Sequence, residues 1–173
     1  MPDSTVIAGI VIPSTSPLFL AGVGVHVGAG LVCVAAGALA MLSRKRRGRH
    51  STAGTVYFWG LAVLCASAAV LAVVRWPEDN VLLALVFIAF GAAYLGRQAM
   101  RSRHAVRLHI TGMGASYIVM LTAFYVDNGK FLPLWRDLSP LAYWLVPAAI
   151  GLPIMGWALL RHPLVRGVHL QET

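Results

Sequence analysis

The chain has 173 residues, of which 58% are hydrophobic and only 12% charged, with a formal net charge of +8. A soluble domain carries about 25% charged residues, so this composition excludes an ordinary soluble fold and makes lipid the expected solvent. A net charge of +8 would suggest nucleic acid in a soluble protein, but here the basic residues must first be placed against the apolar runs.

Residues 1–17, MPDSTVIAGIVIPSTSP, carry an acid where a secretory signal carries bases, and Pro13 and Pro17 punctuate a weak apolar run. They read as a lead-in at the outer face. Five apolar runs follow: Leu18 to Leu42, Gly54 to Val74, Val81 to Leu95, Leu108 to Val126 and Leu141 to Leu160. A membrane core about 30 Å thick takes roughly 20 apolar residues of helix, and four runs meet that directly. The third is short, and Gly96 to Met100 extends it if Arg97 snorkels to the headgroups. Because the backbone in lipid must satisfy its own hydrogen bonds, runs of this length are helices. Ser51 or Thr52 is the expected cap of the second. The predicted fold is all-α, with a single five-helix transmembrane domain over residues 18–162 and a tail over 163–173.

Charge orients these spans. Arg44, Lys45, Arg46, Arg47 and Arg49 lie between the first and second runs, Arg97, Arg101, Arg103 and Arg107 between the third and fourth, and Arg161 and Arg166 after the fifth. Five of the six acidic residues, Asp3, Glu78, Asp79, Asp127 and Asp137, fall on the opposite side. The positive-inside rule then sets the N-terminus out and the C-terminus in, in a bacterial inner membrane. The polybasic loop 44–49 is a topology determinant that attracts anionic lipid headgroups, at about 1 kcal/mol per residue. It lacks the folded module or interleaved aromatics that a nucleic-acid site needs. Cys33 and Cys65 fall inside spans and read as small buried apolar residues.

Two stretches resemble each other: RHSTAGTVY at 49–57 and RLHITGMGASY at 107–117. Each opens a helix with a basic residue, a histidine, then glycine and tyrosine. This is compatible with a parallel duplication carrying an appended fifth span, and equally with helix starts that share interfacial residues. On the first helix Gly22, His26, Gly30, Cys33 and Gly37 share one side, a small-residue stripe able to bring a neighbouring helix or a flat ligand close. His109, Gly112, Ser116 and Ala123 make a second stripe on the fourth helix. Ionisable groups within spans usually face a protein interior and point to function; the bland alternative is a neutral histidine bonded to a backbone carbonyl in a packed seam.

With a rise of about 1.5 Å per residue, His26 lies roughly 6 Å to the outer side of the midplane and His109 about 10 Å to the inner side, too far apart for one metal. His109 shares its height with His50, His104 and His162. Two of these four can bracket a haem or three can hold a metal, if the helices bring them together. Met120 is at the depth of His26, and His/Met is a known haem ligation, although ordinary packing is the expected role of Met120. Trp59, Trp76, Trp135, Tyr143 and Trp144 are expected to anchor span ends at the interface.

The histidine of the first span, His50 with Gly54 and Tyr57 at the start of the second, and Arg103, His104, Arg107 and His109 at the start of the fourth resemble uncharacterised bacterial predicted-membrane-protein families over about residues 18–126. The resemblance implies no activity, and a similarity to small membrane b-type cytochromes rests on fold-level analogy.

The expected function is haem- or quinone-linked membrane redox work or haem handling, with His26, His50, His104 and His109 as candidate cofactor ligands. Gly22, Gly30, Gly37, Gly112 and Ser116 are then helix-packing positions. The alternative is a cofactor-free interaction, assembly or transport subunit, docking through the same stripes onto a partner or a second copy. A metal-dependent lipid enzyme is disfavoured, because no carboxylate stands in any span or inner loop to orient ligands or act as base.

Overall fold

The computed structural model describes residues 5–7, 10–12, 17–43, 48–74, 79–100 and 106–161. Five helices account for most of them: α1 (Pro17–Leu42), α2 (Arg49–Val74), α3 (Asn80–Ala99), α4 (Val106–Asn128) and α5 (Pro140–Arg161). Each is long and apolar enough to cross a membrane. The third is one continuous helix of 20 residues that runs on through Gly96 and Arg97, the extension that the short apolar run required. Within residues 1–17 a short antiparallel hairpin pairs β1 (Thr5–Ile7) with β2 (Ile10–Ile12), a local element that apolar content alone did not reveal.

Helix α2 starts one turn earlier than its apolar run. Gly48 has φ of +119°, a left-handed conformation natural to glycine, and its carbonyl already accepts the Thr52 N–H at 2.9 Å. Ser51 and Thr52 therefore lie inside the first turn and do not cap it. The polar start of α2, from Arg49 to Thr52, is helical because Gly48 turns the chain; apolar periodicity carries no information there.

The chain divides into two compact units, Met1–Val86 and Phe87–Thr173. In the first, α1 and α2 run antiparallel along the small-residue face of α1. Gly22 is met by Leu71 and Gly30 by Leu64, each just inside van der Waals distance of where a Cβ would stand, at 3.8 and 3.7 Å. Cys33 and Leu61 are fully buried and Tyr57 almost so. The thiol of Cys33 points at the Tyr57 carbonyl, and that of Cys65 at the Val86 carbonyl, both at 3.8 Å. The two cysteines are free and buried, without a disulfide.

In the second unit the C-terminal half of α3, with α4 and α5, packs through still smaller residues. Ala89, Ala93, Gly96 and Ala99 are the buried positions of α3, and Gly112, Ser116, Met120 and Thr122 those of α4. A methyl on Gly112 would sit 2.7 Å from both the Ala92 carbonyl oxygen and the Gly96 Cα, so the two backbones touch. On the other side of α4, Gly114 receives Met155, and Ile118 fills the space over Gly151. Pro147 and Pro153 lie inside α5, a placement that membrane helices tolerate better than soluble ones. The described outward side chains are largely Leu, Val, Ile and Phe, as a lipid-facing surface requires.

Candidate functional site

The histidines organise the chemistry of both units. His50, the second residue of α2, reaches back to α1, and its Nδ1 donates to the Ala40 carbonyl at 2.9 Å. His109, near the start of α4, does the same to α3: its Nδ1 donates to the Gly96 carbonyl, also at 2.9 Å. Each bond ties the opening turn of one helix to the closing turns of the helix before it. A carbonyl can only accept, so Nδ1 carries the proton in both rings.

The surroundings of these two bonds correspond position by position. Three, seven and eleven residues after His50 stand Ala53, Tyr57 and Leu61; after His109 stand Gly112, Ser116 and Met120; all six are buried. Seven and three residues before the acceptor stand Cys33 and Gly37 on α1, and Ala89 and Ala93 on α3, again all buried. The likeness seen in sequence is therefore carried by the histidine and by burial. The glycine and tyrosine letters do not superpose. Aligned on the histidines, Gly112 matches Ala53 rather than Gly54, and Tyr57 matches Ser116 rather than Tyr117. One residue of slip turns a side chain about 100° around a helix, which moves the glycine and tyrosine of one motif off the face they occupy in the other. Gly54 accordingly has open space where Gly112 has backbone.

His26 lies deeper in α1 and pairs with Ser67 of α2, Nδ1 to Oγ at 3.2 Å. The Ser67 hydroxyl donates its proton to the Leu64 carbonyl at 2.9 Å, so its oxygen accepts from His26 and Nδ1 again holds the proton. All three described histidines thus donate from Nδ1. Fourteen residues separate His26 from Ala40 on α1, about 21 Å of helix, so His26 and His50 serve different sites, as their depths require.

The small-residue stripe of α1 has a definite occupant. Gly22 and Gly30, one turn to either side of His26, receive Leu71 and Leu64. They close a helix pair and leave no slot for a flat ring between α1 and α2. Gly37 is buried in the same seam, and Gly112 and Ser116 are buried in the seam of α4. Met120 is also buried there. Among the described residues no group of three histidine, cysteine or acidic side chains comes together to hold a metal. His104, His162 and Arg44 to Arg47 lie outside the described residues, while Arg49 is exposed at the start of α2.

Of the expected aromatic anchors, Trp59 lies well inside its helix and Tyr143 is part of the packing at the start of α5. Because α2 begins at Arg49, Trp59 is ten residues into the helix, about 15 Å from its start, and it is 62% exposed. Tyr143 is buried against Gly129, where its ring would meet any Cβ at 2.8 Å, and its hydroxyl donates to the Trp135 carbonyl at 3.2 Å. Trp135 stacks on Tyr125, with centroids 3.8 Å apart. Trp144 is exposed on α5, and Trp76 falls outside the described residues. The residue that sequence reading missed is Ser67, which fixes the His26 ring. Its signal was a lone hydroxyl in an apolar helix, indistinguishable in one dimension from a serine that bonds only its own backbone.

These features define a helical chain with five helices fit to span a membrane and two histidine-tied hairpins. Compared with known proteins, it matches no family model, no curated protein and no solved structure.

Proposed function

We propose that this is a multi-pass subunit of a bacterial inner membrane, N-terminus outside and C-terminus cytoplasmic, that acts through helix–helix assembly without a cofactor of its own. The observation that carries it is the use made of the residues that looked chemical. His50 and His109 hold corresponding hairpin ends together, and the glycines beside His26 take leucines of the facing helix. Helix association in lipid relies on close packing and interhelical hydrogen bonds, and both devices occur in each unit. The partner is a second copy or another membrane chain, with anionic lipid at the basic cytoplasmic loops.

A second reading keeps His26 as a ligand for haem b or a partner for a quinone. The relay from His26 through Ser67 to the Leu64 carbonyl fixes the ring with Nε2 as the basic nitrogen. That form binds iron or accepts a hydrogen bond from a quinol hydroxyl, and an outer oxygen that orients the ring is a common feature of histidine ligands. A porphyrin would have to approach from the half-exposed side of His26, since leucines occupy the seam.

The deciding experiment is purification in mild detergent from haem-replete cells. Absorption spectra, oxidised and dithionite-reduced, are recorded together with quinone extraction and the mass of the particle. A colourless, quinone-free particle heavier than one chain upholds assembly. A stoichiometric Soret band or bound quinone that disappears in His26→Ala moves the assignment to the second reading.

A further inference from the structure

At the end of α4 opposite the histidine-bearing turn, Phe124, Tyr125, Leu132, Pro133, Leu134 and Trp135 line a shallow, open and almost wholly apolar depression. It belongs entirely to the second unit. We propose that it is a binding site for a phospholipid with a phosphoethanolamine headgroup, one acyl chain lying in the depression and the headgroup on its charged rim.

Three observations point to this occupant. The loop from Gly129 to Ser139 joins two helices that are each fit to span a membrane, so the depression stands at the level of headgroups and upper acyl chains. Its floor is built and held. Tyr125 stacks on Trp135, Tyr143 donates to the Trp135 carbonyl, and the backbone bonds Leu132 N to Gly129 O, Arg136 N to Leu132 O and Leu138 N to Trp135 O wind the loop tightly. The lip is nonetheless apolar and outward, with Leu134 86% exposed, which is costly in water and natural against a lipid chain.

The rim chooses the headgroup. Lys130 and Arg136 offer donors to a phosphate, and Asp127 and Asp137 stand beside them in the same segment. Arg136 and Asp137 are held only at 3.8 Å with both side chains largely exposed, a loose pair that a ligand can open at little cost. Asp127 is met by the neighbouring Asn128 amide at 3.2 Å. Two cations and two carboxylates complement a headgroup that carries both signs. The carboxylates repel a net-anionic lipid, and a primary ammonium, unlike a quaternary one, donates hydrogen bonds to them.

Trp135 is a built-in reporter. The full-length protein is placed in nanodiscs of rising mole fraction of brominated phosphatidylethanolamine, phosphatidylglycerol or phosphatidylcholine. The Trp135 signal is taken as wild type minus Trp135→Phe, a change that keeps an aromatic ring on Tyr125. Quenching by the ethanolamine lipid should reach half its maximum at about one-fifth of the mole fraction the other two need, the ratio expected of a rim worth ~1 kcal/mol. The preference should vanish in Lys130→Ala/Arg136→Ala, whose surface changes leave the apolar floor intact. Equal quenching by all three lipids overturns the proposal, as does a preference for either of the others. Absence of quenching, which would mean that protein covers Trp135, overturns it as well.

Discussion

The two histidine-tied hairpins meet the same requirement with opposite materials. In the first, the seam beside the tie is filled by side chains: Tyr57, Leu61 and Cys33 are all but inaccessible. In the second, the matching positions are Ser116, Met120 and Ala89, and the helices approach until Gly96 and Gly112 touch backbone to backbone. One carbonyl bond of 2.9 Å closes either arrangement. The helix ends are thus held alike, while the separation of the helices follows the size of what lies between them. The first hairpin should fail when something is removed, and the second when something is added.

The largest effect should come from Gly112→Val. A Cβ there lands 2.7 Å from atoms of the α3 backbone, which cannot rotate away as a side chain can. Overpacking of this kind costs about 3 kcal/mol or more, and reversible unfolding in mixed micelles should show a destabilised or non-inserting protein. The matched change in the first unit, Ala53→Gly, removes one buried methyl and should cost only about 1 kcal/mol. Gly54→Ala, pointing into open space, should be close to neutral. If Gly54 proved the sensitive glycine instead, the alignment of the hairpins on their histidines would be wrong.

Next in size is the converse test. Leu61 is fully buried in the first unit, and Leu61→Ala should cost about 3 kcal/mol through lost contacts and the cavity left behind. The same micelle unfolding curves measure it. In the second unit Ser116→Ala deletes a hydroxyl that bonds the Met113 carbonyl on its own helix at 2.8 Å and should change stability by no more than about 1 kcal/mol. A costly Ser116 beside a cheap Leu61 would reverse the comparison.

These contrasts explain what the sequence could and could not disclose. Five helices were legible because length and hydropathy alone decide them in lipid, and Cys33 and Gly37 were legible as a packed stripe because their spacing is helical. The start of α2 was not, since it depends on the left-handed turn at Gly48, and polar residues on both sides of that turn hide it from apolar periodicity. The histidines were visible as unusual residues, but their acceptors are the carbonyls of Ala40 and Gly96. Every residue has a carbonyl, so no letter in the chain marks the partner. Tyr143 was legible as an aromatic residue at a span end, but only the three-dimensional path of the loop brings Gly129 beneath its ring.

The tie itself predicts equal penalties. His50→Ala and His109→Ala each leave a carbonyl in a helix's closing turns without its imidazole donor, and interhelical bonds of this kind are worth about 0.6 to 2 kcal/mol in membranes. The two variants should fall within about 0.5 kcal/mol of each other, read by the same unfolding assay. The amide nitrogen of asparagine stands as many bonds from the Cα as Nδ1 and can present its N–H near that position, whereas that of glutamine lies one bond further out, nearer the place of Nε2. Recovery in His50→Asn and His109→Asn, but not in the glutamine variants, would show that the donor at Nδ1 matters rather than the ring.

The smallest effect separates His26 from that pair. Its partner is a side chain, so a double-mutant cycle with His26→Ala, Ser67→Ala and both together isolates the bond. The coupling should be about 0.6 kcal/mol, the average for hydrogen bonds between membrane helices. If His26 served packing alone, both single variants would be mild and their coupling would be the whole story. If it served as a ligand, Ser67→Ala would leave stability nearly unchanged yet alter the spectrum or the quinone content, because the hydroxyl sets which ring nitrogen is basic. A seam bond and an orienting bond have the same length, and they differ in what else moves when the serine is gone.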